Sequence, residues 1–354
     1  MLNVTQTFLP PLEEYKNLLE RIWDSKWLTN RGKLVCELEE SLRRHLEVPN
    51  LLAVANGTIA LQIAIKALGL KDEIITTPFS YVATVSSIVW EGCTPVFVDI
   101  DPDYWTIDEN LIEAAITERT SAIMATHVFG NPCNVEVIEE IARKHGIKVI
   151  YDAAHCFGVK YRGSSILNWG DISTLSFHAT KLFHTGEGGA IACRDAAIAK
   201  DVFDHHNFGH NGPEEFFGLG INGKLSELNA AMGLAVLEHI DVIIAGRKTV
   251  CKAYDEFLAG SGLRRIKLRE GTDWNFSYYP VLFESEEELL KVREKMNKKE
   301  IYPRRYFYPS LNKLPYLSYK KFPVAEDISR RILCLPLSNT INSFDAERVA
   351  EVCK

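Results

Sequence analysis

The sequence predicts an α/β protein built around a mostly parallel sheet. From about residue 50 to 195, short apolar runs alternate with helix-like segments, which is the pattern of βαβ units. Polar residues and glycines follow several of these runs, as expected at the carboxyl edge of such a sheet, where ligands bind. After residue 222 the helical segments become longer. We therefore expect a large domain over residues 1–240 and a smaller α/β domain over residues 241–354.

Seven strands are predicted from brief runs that are mostly rich in β-branched or apolar residues and are usually flanked by Gly, Pro, Asn or Asp. In chain order they are Leu51–Val54, Ile74–Thr77, Val96–Asp99, Ala122–Val128, Lys148–Tyr151, Ser173–Phe177 and Gly189–Cys193.

Helices are predicted over Ile59–Leu68, Val135–His145, Leu225–Ile244 and a charged segment after Ser285. Apolar residues at helical spacing indicate the second of these, with Asn134 as its cap and Gly146 at its end. The hydroxyl of Ser285 and the carboxylate of Glu288 form a capping-box pattern for the last one.

Composition and charge exclude several classes of protein. The chain has 354 residues, 46% of them hydrophobic and 25% charged, as in an ordinary globular protein. Its net charge of −7 opposes binding to nucleic acid. The eight cysteines include no Cys-x-x-Cys pair. Neither a membrane span nor a signal peptide is recognisable. We expect a cytoplasmic protein with no nucleic-acid or membrane partner.

Three local sequence patterns resemble nucleotide-binding or metal-binding motifs but lack a feature that each motif requires. Gly218–Gly223 fits G-x-G-x-x-G, but no strand precedes it. The overlapping run to Leu225 approximates a P-loop, yet Leu225 has no hydroxyl for magnesium. The histidines within His205–His210 lack the usual ligand spacing, so we predict no metal. A mobile loop over the substrate mouth is the hypothesis for residues 205–220.

Three features together have the chemistry that pyridoxal phosphate requires. Gly57-Thr58 places a tight backbone and a hydroxyl at a helix start, which suits a phosphate. Asp152 ends an apolar strand and would face the pyridine ring, and Lys181 follows another strand and would supply a Schiff-base amine. Taken singly, Asp152 also suits a helix cap and Lys181 a solvated surface.

At these motifs the chain resembles the DegT/DnrJ group of sugar aminotransferases, which are fold-type-I pyridoxal-phosphate enzymes. The resemblance runs over most of the chain and rests on the order and spacing of several segments. They are Ala55–Leu61, Pro78–Thr84, Pro95–Asp99, Tyr151–His155, Ser176–Lys181, Gly186–Gly189 and Gly220–Glu227. The stretch from Ser176 to Gly189 looks closest to enzymes that aminate C4 of a dTDP-linked 4-keto-6-deoxy sugar.

The resemblance implies a role for each cofactor residue. Lys181 would form the Schiff base and move the substrate proton, while Asp152 would keep the pyridine nitrogen protonated. Tyr81 would stack on the ring, with ordinary core packing as the alternative. His155 would donate to the phenolic oxygen, with a structural histidine as the alternative.

The phosphate would lie on the backbone amides of Gly57 and Thr58, with hydroxyls of Thr58 and Ser176 adding hydrogen bonds. Asn222 matches an asparagine that reaches this phosphate from the neighbouring subunit, so the resemblance implies a homodimer with shared active sites. Gly220 and Gly223 would then allow the tight turn that projects Asn222.

Substrate contacts are expected from His178, His184, Arg304 and Tyr308. Many relatives carry a Tyr-x-Pro-x-His-like segment near the sugar nucleotide, but Arg304–Leu311 contains no histidine. Arg304 and Arg305 would meet a diphosphate as forked donors, or form a solvated charged pair.

The resemblance implies a transaminase for amino-sugar and surface-glycan biosynthesis. It would take the amino group of L-glutamate, releasing 2-oxoglutarate, and give it to the keto carbon, C4, of a nucleotide-linked sugar. The alternatives are C3 amination, a pyridoxal-phosphate sugar dehydratase and a cofactor-binding regulator without turnover. Lys181 argues against the dehydratases, in which histidine replaces this lysine. Retention of Asp152 together with Lys181 argues against a regulator.

Overall fold

The computed structural model describes residues 1–354, and fifteen strands and twelve α-helices make up its regular structure. The strands are β1 (Leu2–Asn3), β2 (Asn50–Val54), β3 (Glu73–Thr76), β4 (Thr94–Phe97), β5 (Thr120–Thr126), β6 (Lys148–Asp152), β7 (Lys160–Tyr161), β8 (Ser164–Ser165), β9 (Ile172–Ser176), β10 (Gly189–Cys193), β11 (Arg264–Arg265), β12 (Thr272–Asp273), β13 (Tyr279–Leu282), β14 (Ile301–Tyr302) and β15 (Ile332–Leu335).

The helices lie mostly between and after these strands. They are α1 (Leu12–Ser25), α2 (Lys33–Leu46), α3 (Gly57–Ala67), α4 (Val82–Trp90), α5 (Glu109–Ile112), α6 (Val135–His145), α7 (Ala196–His206), α8 (Glu227–Leu237), α9 (Ile240–Phe257), α10 (Glu286–Lys298), α11 (Pro323–Arg331) and α12 (Ser343–Cys353).

A seven-stranded sheet forms the centre, in the order β2-β10-β9-β6-β5-β3-β4. All its strands are parallel except β10, which runs antiparallel to both neighbours. Six of the strands are largely buried, whereas the edge strand β4 is partly exposed, and this burial explains why most of the strands appear in the sequence as continuous apolar runs. The sheet confirms the predicted fold class, and each of the seven predicted strands is present with its ends shifted by a few residues.

A second, smaller sheet of β11, β13 and β15 forms the core of the C-terminal part. Helix α9 joins the two cores, since Ile240 and Ile243 pack in the large core whereas Val250 and Tyr254 pack in the small one. The first strand, β1, pairs with β14 near residue 301. The division at residue 240 stays a prediction, and the N-terminal strand contacts the C-terminal part.

Two helix predictions need correction. The apolar run Leu225–Ile244 was expected to form one helix, but it forms α8 and α9, because the chain breaks at Glu238 and His239. Asn134 precedes α6 as expected, yet its amide donates to the carboxylate of Glu109 and does not cap the helix.

Two other helix ends confirm the sequence patterns. Gly146 ends α6 in the left-handed conformation, with φ of 65°. The hydroxyl of Ser285 accepts from the backbone amide of Glu288 at 3.1 Å, and the Glu288 carboxylate accepts from the backbone amide of Glu284 at 3.2 Å. As for membrane spans, no individual helix has the required length and apolarity, and only α8 and α9 together pass, across a 60° bend.

Two buried carboxylates cap helices that lie far away in the sequence. Asp99, after β4, accepts from the amides of Val324 and Ala325 at the start of α11, at 3.0 and 2.8 Å. Glu227 accepts from the amides of Leu34 and Val35 at the start of α2, at 2.8 and 3.0 Å. Each carboxylate satisfies amides that have no partner within their own helix and lies at its positive end. Asp99 thereby ties the small C-terminal part to the edge of the large sheet.

We expect Asp99→Ala to lower the free energy of unfolding by about 3 kcal/mol, because it leaves buried amides without an acceptor. Urea denaturation followed by circular dichroism measures this change. The matched control is Asp103→Ala, at an exposed position whose side chain has no hydrogen bond, where we expect a change within about 0.5 kcal/mol. Equal effects of the two substitutions would contradict the capping role.

Candidate active site

A cavity of about 520 Å³ opens at the carboxyl edge of the large sheet, where the ends of β2, β5, β6 and β9 meet. This volume suits a small organic ligand. The residues that border it include every predicted cofactor residue except Asn222, and two of the predicted substrate residues: Gly57, Thr58, Tyr81, Asp152, His155, Ser176, Lys181, His178 and Arg304.

The start of α3 forms an anion site at one end of the cavity. Asn56 caps the helix and accepts from the amide of Ile59 at 2.8 Å, which leaves the amides of Gly57 and Thr58 without a partner. A Cβ on Gly57 would lie 2.9 Å from the Cβ of Ser176, so only glycine permits this approach between α3 and β9. The free amides and the adjacent hydroxyl suit a phosphate.

Lys181 lies in the connection between the antiparallel strands β9 and β10. The base of this connection is closed by a hydrogen bond from the amide of Phe177 to the carbonyl of Gly188 at 2.8 Å, and a second joins Ala179 to Gly186 at 2.8 Å. Because both strands belong to the central sheet, the position of the lysine is fixed relative to the end of β6, where Asp152 lies.

Asp152 is buried, and its two oxygens accept separate hydrogen bonds. The hydroxyl of Thr84 donates to Oδ2 at 2.7 Å, and the amide of Ala154 donates to Oδ1 at 3.1 Å. Burial raises the pKa of Asp152, while these two donors and the more distant Lys181 oppose that rise. The carboxylate borders the cavity. Its hydrogen bond with the amide of Ala154 forms a local turn after the strand.

The pKa of Lys181 is lowered from the usual 10.5 to about 8, chiefly by burial, with Asp152 opposing the fall and Arg304 adding to it. The ammonium nitrogen is 5.9 Å from the ring centroid of Tyr278, which forms an apolar wall. A neutral amine, the form that attacks a carbonyl, is therefore accessible near neutral pH.

His155 has a fixed tautomer. Its Nδ1 accepts from the amide of Phe129 at 3.1 Å, so the neutral ring carries its proton on Nε2. Burial lowers the pKa of His155, and its ring stacks on Phe307 at 5.8 Å with an interplanar angle of 5°. The histidine borders the cavity and has one nitrogen left to donate, which suits a phenolic oxygen.

Tyr81 borders the cavity just before α4, and 48% of its surface is exposed. That exposure excludes the alternative of ordinary core packing. Its ring lies 6.1 Å from that of Tyr306, a residue that the sequence reasoning did not single out. The two aromatic rings leave apolar surface open to a flat ligand.

Three predicted residues do not border this cavity. His184 is 1% exposed and both its nitrogens are engaged, one by the carbonyl of Phe8 at 2.6 Å and one by the amide of Gly186 at 3.1 Å. The expectation that it faces substrate is therefore not supported, because no nitrogen is free. Tyr308 and Asn222 are exposed and lie outside the cavity of their own chain.

The segment around Asn222 differs in detail from the prediction. Neither Gly220 nor Gly223 has a positive φ. A Cβ on Gly220 would lie 2.3 Å from the amide nitrogen of Gly209, and one on Gly223 would lie 2.8 Å from Ile63. These glycines therefore permit close packing of the chain and do not supply an unusual turn. Residues 205–220 do not border the cavity, so their role over a substrate mouth stays a prediction.

Arg305 also has a structural role, contrary to the forked pair suggested for the two arginines. It forms an ion pair with Glu286 at 2.5 Å and donates to the carbonyl of Arg330 at 2.8 Å. Arg304 has no ion pair, and its guanidinium lies 4.5 Å from the ring centroid of Tyr306 at the cavity wall. Only Arg304 is free to meet an anion in the cavity.

These residues fit pyridoxal phosphate on independent grounds. Unpartnered amides at a helix start suit its phosphate, and a buried carboxylate and an amine of lowered pKa border the same cavity. A fixed donor, His155, is a fourth group, and it suits the phenolic oxygen of the cofactor's ring. Fold and site together define a pyridoxal-phosphate-dependent α/β transferase.

Comparison with known proteins narrows this class. The chain belongs to the DegT/DnrJ/EryC1/StrS aminotransferase family, whose model matches residues 12–354. It is similar to the dTDP-4-amino-4,6-dideoxy-D-glucose transaminase of Shigella dysenteriae, with 44% identity over 99% of this chain and 98% of that protein. The protein of the same name from Escherichia coli is 41% identical over 96% of this chain and 94% of its own.

A solved structure, that of DesI in the presence of its TDP-sugar product, is also similar. Its TM-score is 0.94 at 34% identity, over 99% of this chain and 91% of that one. The resemblance predicted from the sequence is thus confirmed: the protein is a pyridoxal-phosphate-dependent sugar aminotransferase with the fold of that family. Such an enzyme needs a sugar-nucleotide substrate and an amino donor.

The lowered pKa of Lys181 predicts how the apoenzyme takes up its cofactor. The rate at which added pyridoxal phosphate becomes covalently bound should rise with a midpoint near pH 8, because only the neutral amine attacks the carbonyl. Arg304→Met should move the midpoint to higher pH, since Arg304 lowers the pKa of Lys181. Rapid mixing with absorbance detection measures the rate.

Borohydride reduction followed by peptide mass mapping should place the label on Lys181, and Lys181→Ala should take up none. A midpoint near 10.5, the ordinary value for lysine, would show that burial does not set this pKa.

Proposed function

We propose that this enzyme transfers the amino group of L-glutamate to the C4 ketone of a dTDP-linked 4-keto-6-deoxy sugar. The observation that carries the proposal is the pairing of a cavity bordered by seven of the eight expected cofactor residues with full-length similarity to two transaminases named for dTDP-4-amino-4,6-dideoxy-D-glucose. In the first half-reaction glutamate leaves as 2-oxoglutarate, and in the second the sugar ketone becomes an amine.

The residues at the cavity supply the steps that this transfer requires. When bound, pyridoxal phosphate supplies an electron sink and carries the amino group between the two substrates. Lys181, neutral after it is displaced, takes the proton from the donor carbon and returns one to the sugar carbon. Asp152 holds a proton on the facing ring nitrogen, and His155 donates to the phenolic oxygen. The start of α3 binds the phosphate.

His178 and Arg304 are the proposed contacts with substrate. Both border the cavity, and the ring of His178 has Nδ1 2.8 Å from the hydroxyl of Thr180 and Nε2 3.7 Å from the carboxylate of Glu187. Arg304 carries the one guanidinium at the cavity, so it suits a carboxylate or a phosphate. The expected cytoplasmic location stays a prediction.

We also infer a homodimer in which each site takes Asn222 from the partner. Asn222 is exposed and does not border its own cavity, although the neighbouring Gly223 carbonyl accepts from the amide of Ala55, at the end of β2. Large exposed apolar side chains surround this segment, as a buried interface would need. They include Phe208, Phe216, Phe217, Leu219 and Leu228.

Substrate identity is tested by incubating the purified holoenzyme with glutamate and a panel of dTDP-, UDP- and GDP-linked keto sugars. We expect the visible absorption of the cofactor to fall on adding glutamate, and NMR to locate the new amine at C4 of a dTDP-sugar. Lys181→Ala should lower the turnover rate by more than about a thousandfold. An amine at C3, or turnover of only another nucleotide, would overturn the substrate assignment.

Shared sites are tested by mixing two variants, Lys181→Ala and Asn222→Ala. Each alone should be impaired, whereas co-refolded mixtures contain dimers in which one site has both intact residues. Random pairing gives about a quarter of the sites intact, so activity should recover to that level. No recovery above the sum of the separate variants would contradict a site completed by the partner's Asn222.

A further inference from the structure

A chain of three buried hydroxyls leads away from the carboxylate of Asp152. Thr84 donates to Oδ2 at 2.7 Å, the hydroxyl of Ser80 lies 2.7 Å from that of Thr84, and the hydroxyl of Thr126 lies 2.9 Å from that of Ser80. Asp152 and all three of these residues are at most 5% exposed. Thr84 lies in the first turn of α4, Ser80 lies two residues before that helix, and Thr126 ends β5.

Which hydroxyl donates in each of these hydrogen bonds follows from the number of protons that a hydroxyl carries. A hydroxyl has one proton to donate. Since Thr84 gives its proton to Asp152, the contact with Ser80 requires Ser80 to donate, and the contact with Thr126 then requires Thr126 to donate. All three dipoles therefore point toward Oδ2 when Asp152 is ionised. Hydrogen bonds aligned in this way strengthen one another in a low-dielectric interior.

We propose that Thr84, backed by Ser80 and Thr126, is a positioning residue that keeps Asp152 ionised and aimed at the ring nitrogen of the cofactor. Thr84 does not itself border the cavity, whereas Ser80, Thr126 and Asp152 do. Thr84 therefore acts on the reaction only through Asp152, and a substitution there reports on the hydroxyl chain itself.

No other group near Asp152 supplies the stabilisation that these three hydroxyls give to its carboxylate. Asp152 forms no ion pair, and the only other direct donor is the amide of Ala154. Of the titratable groups around it, His155 is held neutral by burial and burial raises the pKa of the Cys156 thiol, so neither supplies positive charge. Lys181 is the cation that acts on Asp152, and its free ammonium group is lost when the cofactor binds covalently to it.

The consequence concerns the ring nitrogen. A charged carboxylate favours the protonated ring, and a hydrogen bond to a charged carboxylate favours its charged form. Losing the Thr84 donor raises the pKa of Asp152, which weakens its hold on the ring proton. The nitrogen should then lose its proton at lower pH, and the electron sink should weaken.

The test uses holoenzyme reconstituted with pyridoxal phosphate carrying ¹⁵N in its ring, whose chemical shift reports the nitrogen's protonation. We expect Thr84→Val to move the deprotonation midpoint down by about one pH unit or more, a factor of about ten in the proton equilibrium. The rate of the half-reaction with glutamate should fall about tenfold to a hundredfold, as for loss of one hydrogen bond to a charged group.

Two variants separate this effect from general loosening of α4. Thr84→Ser keeps the hydroxyl and should restore the midpoint of the unmodified protein. Ser87→Ala removes another buried hydroxyl of the same helix, one that donates to the carbonyl of Ala83 at 2.7 Å, and should leave the midpoint unchanged.

An unchanged midpoint in Thr84→Val, or an equal shift in Ser87→Ala, would overturn the proposal. If Thr84→Val does not fold, Ser80→Ala decides: a smaller shift in the same direction supports the hydroxyl chain, and no shift overturns it. The ¹⁵N measurement needs no sugar substrate, so its outcome is independent of which sugar is aminated.

Discussion

The active site places a buried carboxylate, whose charged form two hydrogen-bond donors favour, in the same cavity as an amine that readily becomes neutral. Burial alone acts in one direction on both groups, since it favours the neutral form of Asp152 and of Lys181. The chain resolves this by giving Asp152 two hydrogen-bond donors while leaving Lys181 against the apolar ring of Tyr278. The sheet brings the two together because β6 and β9 are adjacent parallel strands.

Features set by short stretches of sequence could be predicted, and features set by distant partners could not. The seven strands of the large sheet, Asp152 at a strand end and the open helix start at Gly57 all follow from local patterns. The engagement of His184 could not be predicted, because one of its partners, the carbonyl of Phe8, lies 176 positions away. The break between α8 and α9 falls at Glu238 and His239, inside a segment of helical periodicity that has no proline or glycine at that point to indicate a helix end. The hydroxyl chain could not be predicted either, because Ser80 precedes α4 and Thr126 ends a distant strand.

Long-range carboxylates organise the structure around the site. Glu227 and Asp99 each replace a local cap at the start of another helix, so that the ends of α2 and α11 are fixed by residues from distant parts of the chain. Both lie in segments that carried the family resemblance. Their placement explains part of that resemblance without any role in chemistry, because each carboxylate fixes the start of a helix that is distant in the sequence.

Lys181 and Arg304 reach the cavity on different supports. Lys181 lies in a connection that is closed at its base by the pairing of β9 with β10 in the central sheet. Arg304 comes from the C-terminal part, and its backbone pairs with that of Cys334 in β15 of the small sheet. The catalytic lysine and the arginine proposed to meet the substrate therefore belong to different parts of the fold. A change in how the C-terminal part packs against the large sheet would move Arg304 relative to Lys181, and would alter both the proposed anion contact and the pKa of the lysine.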